Sequence, residues 1–370
     1  MAKIILVSKK ITPTTWHLAQ ALKSHQHEVV LLTSYGEKPP QDANDIEFLG
    51  YFKHWTIMEG FRILPTLIAQ GPQIIHLLLE EDRANSAQIL LSVFAKSHPS
   101  CVLTTTLLNI RKGLKRRNPV RYLIEESDII TCPTVEALGH IRGLNVRSHH
   151  QGRGILPPFL SLQVGESVDS ILNDDEILLF ENLRKRPYIV MPFSEALFDP
   201  KNPNYDLMRV LAQKYKLVLW GTYSHWPVRE RKAFASWMSK IDPSSEWIVT
   251  GSLGSVMIQI LLKSASALFL AGRDFSPVEM TDYYTHAIKS DVPLILCSNQ
   301  TSIHSDLWKN SINCWVLNNE QIQSDLIKLL NRPSLKLPES LTRKLAEDRH
   351  LIDSSLNELN RLYNRALDHL

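Results

Sequence analysis

Between Glu246 and Asn299 three short apolar runs, Trp247–Thr250, Ala267–Leu270 and Leu294–Cys297, alternate with two amphipathic segments of helical length. A chain that lays strand, helix, strand, helix, strand is committed to a parallel sheet, because parallel neighbours need a crossover and that crossover is right-handed. Helices on both faces require strands that are apolar throughout rather than alternating, which is how these runs read. Gly251 and the loop Ala271-Gly272-Arg273-Asp274-Phe275-Ser276-Pro277 follow two of the strands, at the carboxyl end where open α/β sheets take their ligands.

The same alternation fills the rest of the chain. Apolar runs at Lys3–Val7, Glu28–Thr33, residues 46–50, Ile74–Leu79, Cys101–Thr105 and Asp128–Cys132 alternate with helical patterns at His17–Lys23, Phe61–Ala69, Arg83–Ala95 and Thr134–Arg142. A second series runs from Pro187–Met191 through Lys216–Trp220 to Cys314–Leu317 and a helix Glu320–Leu330. At 370 residues one core is not expected to serve both series. Residues 1–165 are therefore expected to form an N-terminal Rossmann-like domain, the charged 166–186 a hinge, and 187–345 a second Rossmann-like domain. A terminal helix, 346–370, carries Leu351, Ser355, Leu359, Leu362, Tyr363 and Leu367 near one face and is expected to pack back on the first domain.

Composition narrows the function classes. With 44% hydrophobic and 21% charged residues the chain reads as an ordinary folded protein, and its net charge of +3 argues against a dedicated nucleic-acid binder. The start MAKIILVSKK has too short an apolar run for a signal peptide, and no window has the roughly 18 apolar residues of a spanning helix. Cys101, Cys132, Cys297 and Cys314 lie in or beside expected strands without metal-ligand spacing, which reads as buried thiols in a cytoplasmic protein. His149 and His150 are adjacent and lack a carboxylate at ligand spacing, so no metal is expected. The basic run Arg111–Arg117, with Leu107, Leu108, Ile110 and Leu114, is either a solvated face or a peripheral contact with the inner face of a membrane through 107–117.

Two loops of the first half carry polar groups. Lys9–Thr15 enters a helix through a Ser/Thr-rich start that either caps the helix or holds an anion at its N-terminus. Thr104-Thr105-Thr106 is either a binding rim or ordinary strand. Residues 147–165, with two glycines and Pro157-Pro158, read as loop. In the second half, Gly221 and Gly251 each end a strand, and the glycines either let a phosphorylated ligand approach the backbone or simply turn the chain.

Several segments together resemble the GT-B architecture of glycosyltransferases, in which two Rossmann-like domains face each other across a cleft and a C-terminal helix returns to the first. The closer resemblance is to family 4 of the retaining, nucleotide-sugar-dependent enzymes. It is carried by LAQALKSHQHEVVLLTS (Leu18–Ser34), PQIIHLL (Pro72–Leu78), SDIITCPTVEAL (Ser127–Leu138), ILPPF (Ile155–Phe159), LVLWG (Leu217–Gly221), WIVTG (Trp247–Gly251), LLKSASALFLAGRDFS (Leu261–Ser276) and HAIKSDVPLILCS (His286–Ser298).

The resemblance implies transfer of a sugar from a UDP- or GDP-linked donor to a saccharide or lipid-linked cell-envelope acceptor, with retention, no permanent cofactor and no metal. It carries Lys201 onto the diphosphate side, where Arg273 is a further available cation, Asp274 or Glu279 onto the donor sugar, and Gly221, Gly251 and the backbone of Ser252 and Leu253 onto the nucleotide. A cation and N–H donors there stabilise the pyrophosphate as the glycosidic bond breaks, and a carboxylate stabilises charge at the anomeric carbon. The departures are specific. Thr14-Thr15-Trp16 stand where the family has a glycine pair, Thr106 where it has an acceptor-side histidine, Ser194-Glu195-Ala196 where it has Gly-Arg, and His286 where it has the ribose carboxylate. Asp274 and Glu279 have plain alternatives as helix-cap and first-turn residues. A non-catalytic relative with a protein partner, and a sugar epimerase on the same two-domain plan, are the rival expectations.

Overall fold

The computed structural model describes residues 1–37, 46–79, 84–108, 118–144, 152–156, 181, 183, 186–192, 208, 210–221, 232, 247–250, 255–270, 277–298, 308, 310–318, 320–332, 334–337 and 350–370. The chain divides into two compact units. One comprises Met1–Ser161, Ser276–Asp282 and Arg349–Leu370, the other Leu162–Phe275 and Tyr283–Asp348.

The first unit holds a seven-stranded parallel sheet built from β1 (Lys3–Val7), β2 (Glu28–Ser34), β3 (Glu47–Phe52), β4 (Ile74–Leu79), β5 (Val102–Leu107), β6 (Ile129–Cys132) and β7 (Gly152–Ile155) in the order β3-β2-β1-β4-β5-β6-β7. Because side chains alternate along a strand, each strand feeds two cores. Ile5, Val7, Ile75 and Leu77 face helices α2 (Ile57–Gln70), α3 (Ser86–Ser97), α4 (Pro119–Glu126) and α5 (Val135–Arg142). Ile4, Leu6, Ile74 and Leu78 face α1 (Pro13–Ser24) and a helix from the far end of the chain. Burial on both faces is the reason these strands read as unbroken apolar runs.

That distant helix is the terminal one, His350–Leu367. It lies on β5, β6 and β7 and buries Leu356, Leu359, Leu362, Tyr363 and Ala366. The segment read as loop at 147–165 contains β7, and the reason it looked unlike a strand is the helix above it. A Cβ at Gly152 would sit 2.6 Å from Leu362 Cδ2, and one at Gly154 would sit 2.8 Å from Leu362 Cδ1. Glycines poor in β propensity are thus selected at this edge because only they leave room for Leu362.

Local chemistry sets the other boundaries. α2 runs four residues earlier than expected because Thr56 and Glu59 form a capping box, and it continues through Pro65, whose ring lies on the exposed side. α4 was not expected from the sequence; Asn118 caps it, accepting from the Val120 amide at 2.9 Å. Leu107 and Leu108 are buried, so neither can form the apolar side of a surface contact through 107–117, and residues 109–117 lie outside the described residues. The four cysteines are buried free thiols, and burial pushes Cys101 and Cys132 up to about 12.

The second unit holds a six-stranded parallel sheet: β8 (Tyr188–Pro192), β9 (Lys216–Trp220), β10 (Trp247–Val249), β11 (Ala267–Phe269), β12 (Leu294–Cys297) and β13 (Trp315–Leu317). The order is β10-β9-β8-β11-β12-β13. Helices α6 (Ser255–Lys263), α7 (Pro277–Ser290) and α8 (Ile322–Leu330) accompany it, and the terminal helix is α9. The three apolar runs that open the sequence reading are β10, β11 and β12 with α6 and α7 between them. They are not three neighbours, however: β9 and β8 lie between β10 and β11. The order reverses between β8 and β11, which places a topological switch point there.

Candidate functional site

In the second unit the switch point lies between the carboxyl ends of β8 and β11, and β9 ends one strand away from it. Gly221 ends β9 with φ of +142°, a conformation open to glycine and strained for any other residue. Its neighbour Trp220 is half-buried and meets two side chains of α7 edge-on. The indole lies 5.3 Å from the His286 ring at 84° and 5.5 Å from the Tyr283 ring at 80°. Tyr283 and His286 are three residues apart, so they share one face of the helix.

His286 Nδ1 is buried and has no hydrogen-bond partner among the described residues. Burial, and then the charge of Lys289 beside it, hold the imidazole down to about 4. Near neutral pH the ring is therefore uncharged, with one nitrogen able to donate and the other to accept. An uncharged imidazole edge-on to an indole can meet a hydroxyl group and flank a planar ring. It cannot supply the negative charge of the carboxylate expected at this position.

Glu279 lies in the first turn of α7 and is exposed. Lys201, Gly251, Ser252, Leu253, Arg273 and Asp274 lie outside the described residues. Of the residues singled out from the sequence in this unit, the structure brings Gly221 and His286 to one end of the sheet. Trp220 and Tyr283 were missed. The available signals were an aromatic closing a buried strand before a glycine, and the three-residue spacing of Tyr283 and His286.

In the first unit the β1–α1 loop is locked from inside. Thr12 caps α1, its Oγ1 accepting from the Thr15 amide at 3.2 Å. Ser8 Oγ donates to the Lys10 carbonyl at 2.8 Å and Ser34 Oγ to the Lys9 carbonyl at 2.6 Å. The Ile11 amide donates to Glu37 Oε2 at 3.1 Å, so that loop donor faces a carboxylate of the chain itself. The cap expected within Lys9–Thr15 is thus present, at Thr12. Thr14 is buried and its Oγ1 has no hydrogen-bond partner among the described residues.

Thr106 requires a correction. It is the last residue but one of β5, as expected, but it is fully buried rather than on a rim. His76 Nε2 lies 2.6 Å from its Oγ1, and Thr131 Oγ1 lies 2.5 Å from it. The other ring nitrogen of His76 meets the Tyr363 hydroxyl of α9 at 2.6 Å. Three adjacent strands thus present His76, Thr106 and Thr131 as a polar inlay under α9, and the Thr106 hydroxyl is spent within it. Full burial holds the His76 imidazole down to about 3, so it is neutral and can pair with two hydroxyls.

Among the described residues, no group of three or more His, Cys, Asp or Glu side chains is placed to hold a metal ion. No described helix is long and apolar enough to cross a membrane.

No protein-family model matches the chain, and no curated protein is similar to it in sequence. Solved structures are similar along its length. They include sucrose-phosphate synthase from Thermosynechococcus elongatus, at 11% identity and TM-score 0.67 with all of both chains covered. Anabaena HepE in complex with UDP-glucose matches at 10% identity and TM-score 0.68 over 98% of this chain and all of that one. A glycosyltransferase from Rickettsia africae matches at 11% identity and TM-score 0.64 over 99% and 98%. At such identities the likeness establishes the fold. The chain has the two Rossmann-like units of the GT-B fold.

Proposed function

We propose that the protein is a nucleotide-sugar-dependent glycosyltransferase that moves a hexosyl group from a UDP- or GDP-linked donor to a saccharide or lipid-linked acceptor with retention. The observation that carries this reading is the end of β9, where Gly221, Trp220, Tyr283 and the neutral His286 gather beside a switch point in the second unit of a GT-B fold. The nucleotide lies there, with His286 hydrogen-bonded to a ribose hydroxyl and the aromatic rings beside the base. Lys201 and Arg273, with the amides after Gly251, meet the diphosphate and stabilise the charge that grows on it as the bond to the anomeric carbon breaks. Asp274 or Glu279 stabilises the sugar as it gains cationic character.

Calorimetry with UDP, GDP, ADP and their sugars tests the reading, together with sugar release in the absence of acceptor. Binding of at least one nucleotide, weakened by His286→Leu, is expected; absence of binding by every member of the panel refutes it. A non-catalytic relative is the second reading, favoured by the burial of Thr106 and by the uncharged His286. It predicts nucleotide binding without sugar release for any donor.

A further inference from the structure

The polar contacts of α9 with the first unit run through histidines. The Ala2 amide donates to His27 Nδ1 at 3.3 Å, so that nitrogen is the acceptor of the ring. Nε2 therefore carries the proton and donates it to Asn360 Oδ1 of α9 at 3.1 Å. The amide group of Asn360 in turn donates to His25 Nδ1 at 2.8 Å. A main-chain N–H has one polarity, and it fixes the direction of the whole relay. Turning the Asn360 amide over would set its NH2 group against the Nε2–H of His27. A second proton on either ring sets two donors face to face, at Ala2 for His27 and at Asn360 for His25.

Tyr363, three residues further along the same face of α9, joins this relay to the buried inlay. Its ring meets His27 edge-on at 6.2 Å and His76 edge-on at 6.0 Å, and its hydroxyl is the partner of His76 Nδ1.

The surroundings offer an imidazolium no counter-charge. Burial is the largest influence on His27 and lowers it, and the Met1 amino group and His25 act in the same direction against the hydrogen bonds of Asn360 and Ala2. Glu28, next in the chain, is paired with Lys3 at 2.6 Å, and Lys23 of α1 is exposed. On α9, Glu358 is paired with Arg361 at 2.8 Å, while Arg361, Arg365, Asp368 and His369 are exposed. His76 is set between Thr106 and Tyr363, and burial is what holds it down.

We propose that α9 is a proton-released latch, which stays on the sheet while His25, His27 and His76 are uncharged and lifts on acidification. Opening returns His27 and His76 to water, where each takes up a proton near the ordinary value of about 6.5. Both are lowered in the closed form, so the latch is at full strength above that pH and weakens as pH falls below it. His76, held down to about 3, raises the opening equilibrium about tenfold between about pH 7.5 and about pH 5.5, and His27 adds to that factor.

The test is amide hydrogen exchange of the full chain, read by mass spectrometry at those two pH values and divided by the intrinsic exchange rate at each. Peptides from α9 are expected to show an opening equilibrium at least about tenfold higher at the lower pH, while peptides from α3 stay level. His27→Gln with His76→Gln keeps a donor and an acceptor at each position without a titrating ring, and should hold the rise below about twofold. Asn360→Asp has nearly the same shape and gives His25 and His27 a carboxylate, which favours their charged forms in the closed state. The rise should then shrink at least about threefold. An α9 equilibrium that stays level in the parent overturns the proposal, as does a rise shared equally by α3, which is global unfolding. An unchanged rise in Asn360→Asp or in the double variant overturns it too, because the histidines are then not what opens the helix.

Discussion

Replacing Tyr363 by Phe removes one oxygen atom from the contact between α9 and the sheet and leaves the ring in place. The hydroxyl sits 2.6 Å from His76 Nδ1, and both side chains are fully buried. Without it His76 keeps its bond to Thr106 through Nε2, while Nδ1 faces a hydrocarbon edge with no water to replace the lost partner. A buried polar group left unpaired costs about 1–3 kcal/mol. Packing is conserved, so no cavity adds to it. The total stability of a domain is about 5–15 kcal/mol, which makes the loss easily measured. For a unit of this size it corresponds to a fall in melting temperature of about 3–10 °C.

Urea unfolding followed by tryptophan fluorescence gives the free energy, with unchanged m-value showing that the unfolding transition is the same. The decisive comparison is with His76→Leu and the double variant. Removing both polar partners leaves no orphan at Nδ1, so the double variant should be less damaged than the two single effects added together, by about 1 kcal/mol or more. A Tyr363→Phe effect below about 0.5 kcal/mol, or strict additivity, would refute the reasoning, because either result means that the hydrogen bond does not tie α9 to β4.

Gly152→Ala places a methyl 2.6 Å from Leu362 Cδ2 and should destabilise the protein by about 1–3 kcal/mol; Leu362→Ala introduced with it should cost less than the two separate losses combined, as read by denaturant melts. Gly221→Ala forces a side chain onto φ of +142°, for about 1–3 kcal/mol of strain, and should weaken nucleotide binding measured by calorimetry if the proposed site is correct. Buried His27 and His76 and half-buried His286 all have imidazoles held below the ordinary value, His76 to about 3 and His286 to about 4. The unfolded chain therefore binds protons first as pH falls below about 6.5, and stability should decline toward pH 4 by up to about 1.4 kcal/mol per pH unit for His76 and for His286. A melting temperature that stays level from pH 7 to about pH 4 would contradict this. His76→Leu should flatten part of that slope.

The strands were legible because both faces of each sheet are covered, and double burial writes itself as an unbroken apolar run. Leu294–Cys297 is the plainest instance, found at the same four residues in sequence and structure. β7 was illegible for a reason of the same kind: Gly152 and Gly154 answer to Leu362, more than 200 residues away, rather than to local β propensity. The candidate site was half legible. Gly221 and His286 stood out as departures or punctuation, whereas Trp220 acquires meaning only when α7 brings Tyr283 and His286 against it.

By itself, then, the sequence determined two α/β series, a terminal helix with one apolar face and the absence of metal-ligand spacing, because each of these is a periodicity or a short-range pattern. Strand order belongs to the tertiary structure, since β10, β11 and β12 are consecutive in the chain while β9 and β8 separate the first from the second. So does the fate of Thr106. A threonine in a strand carries no mark of what lies above it, and it took α9, bringing Tyr363 onto His76, to turn a candidate rim hydroxyl into part of a sealed polar inlay.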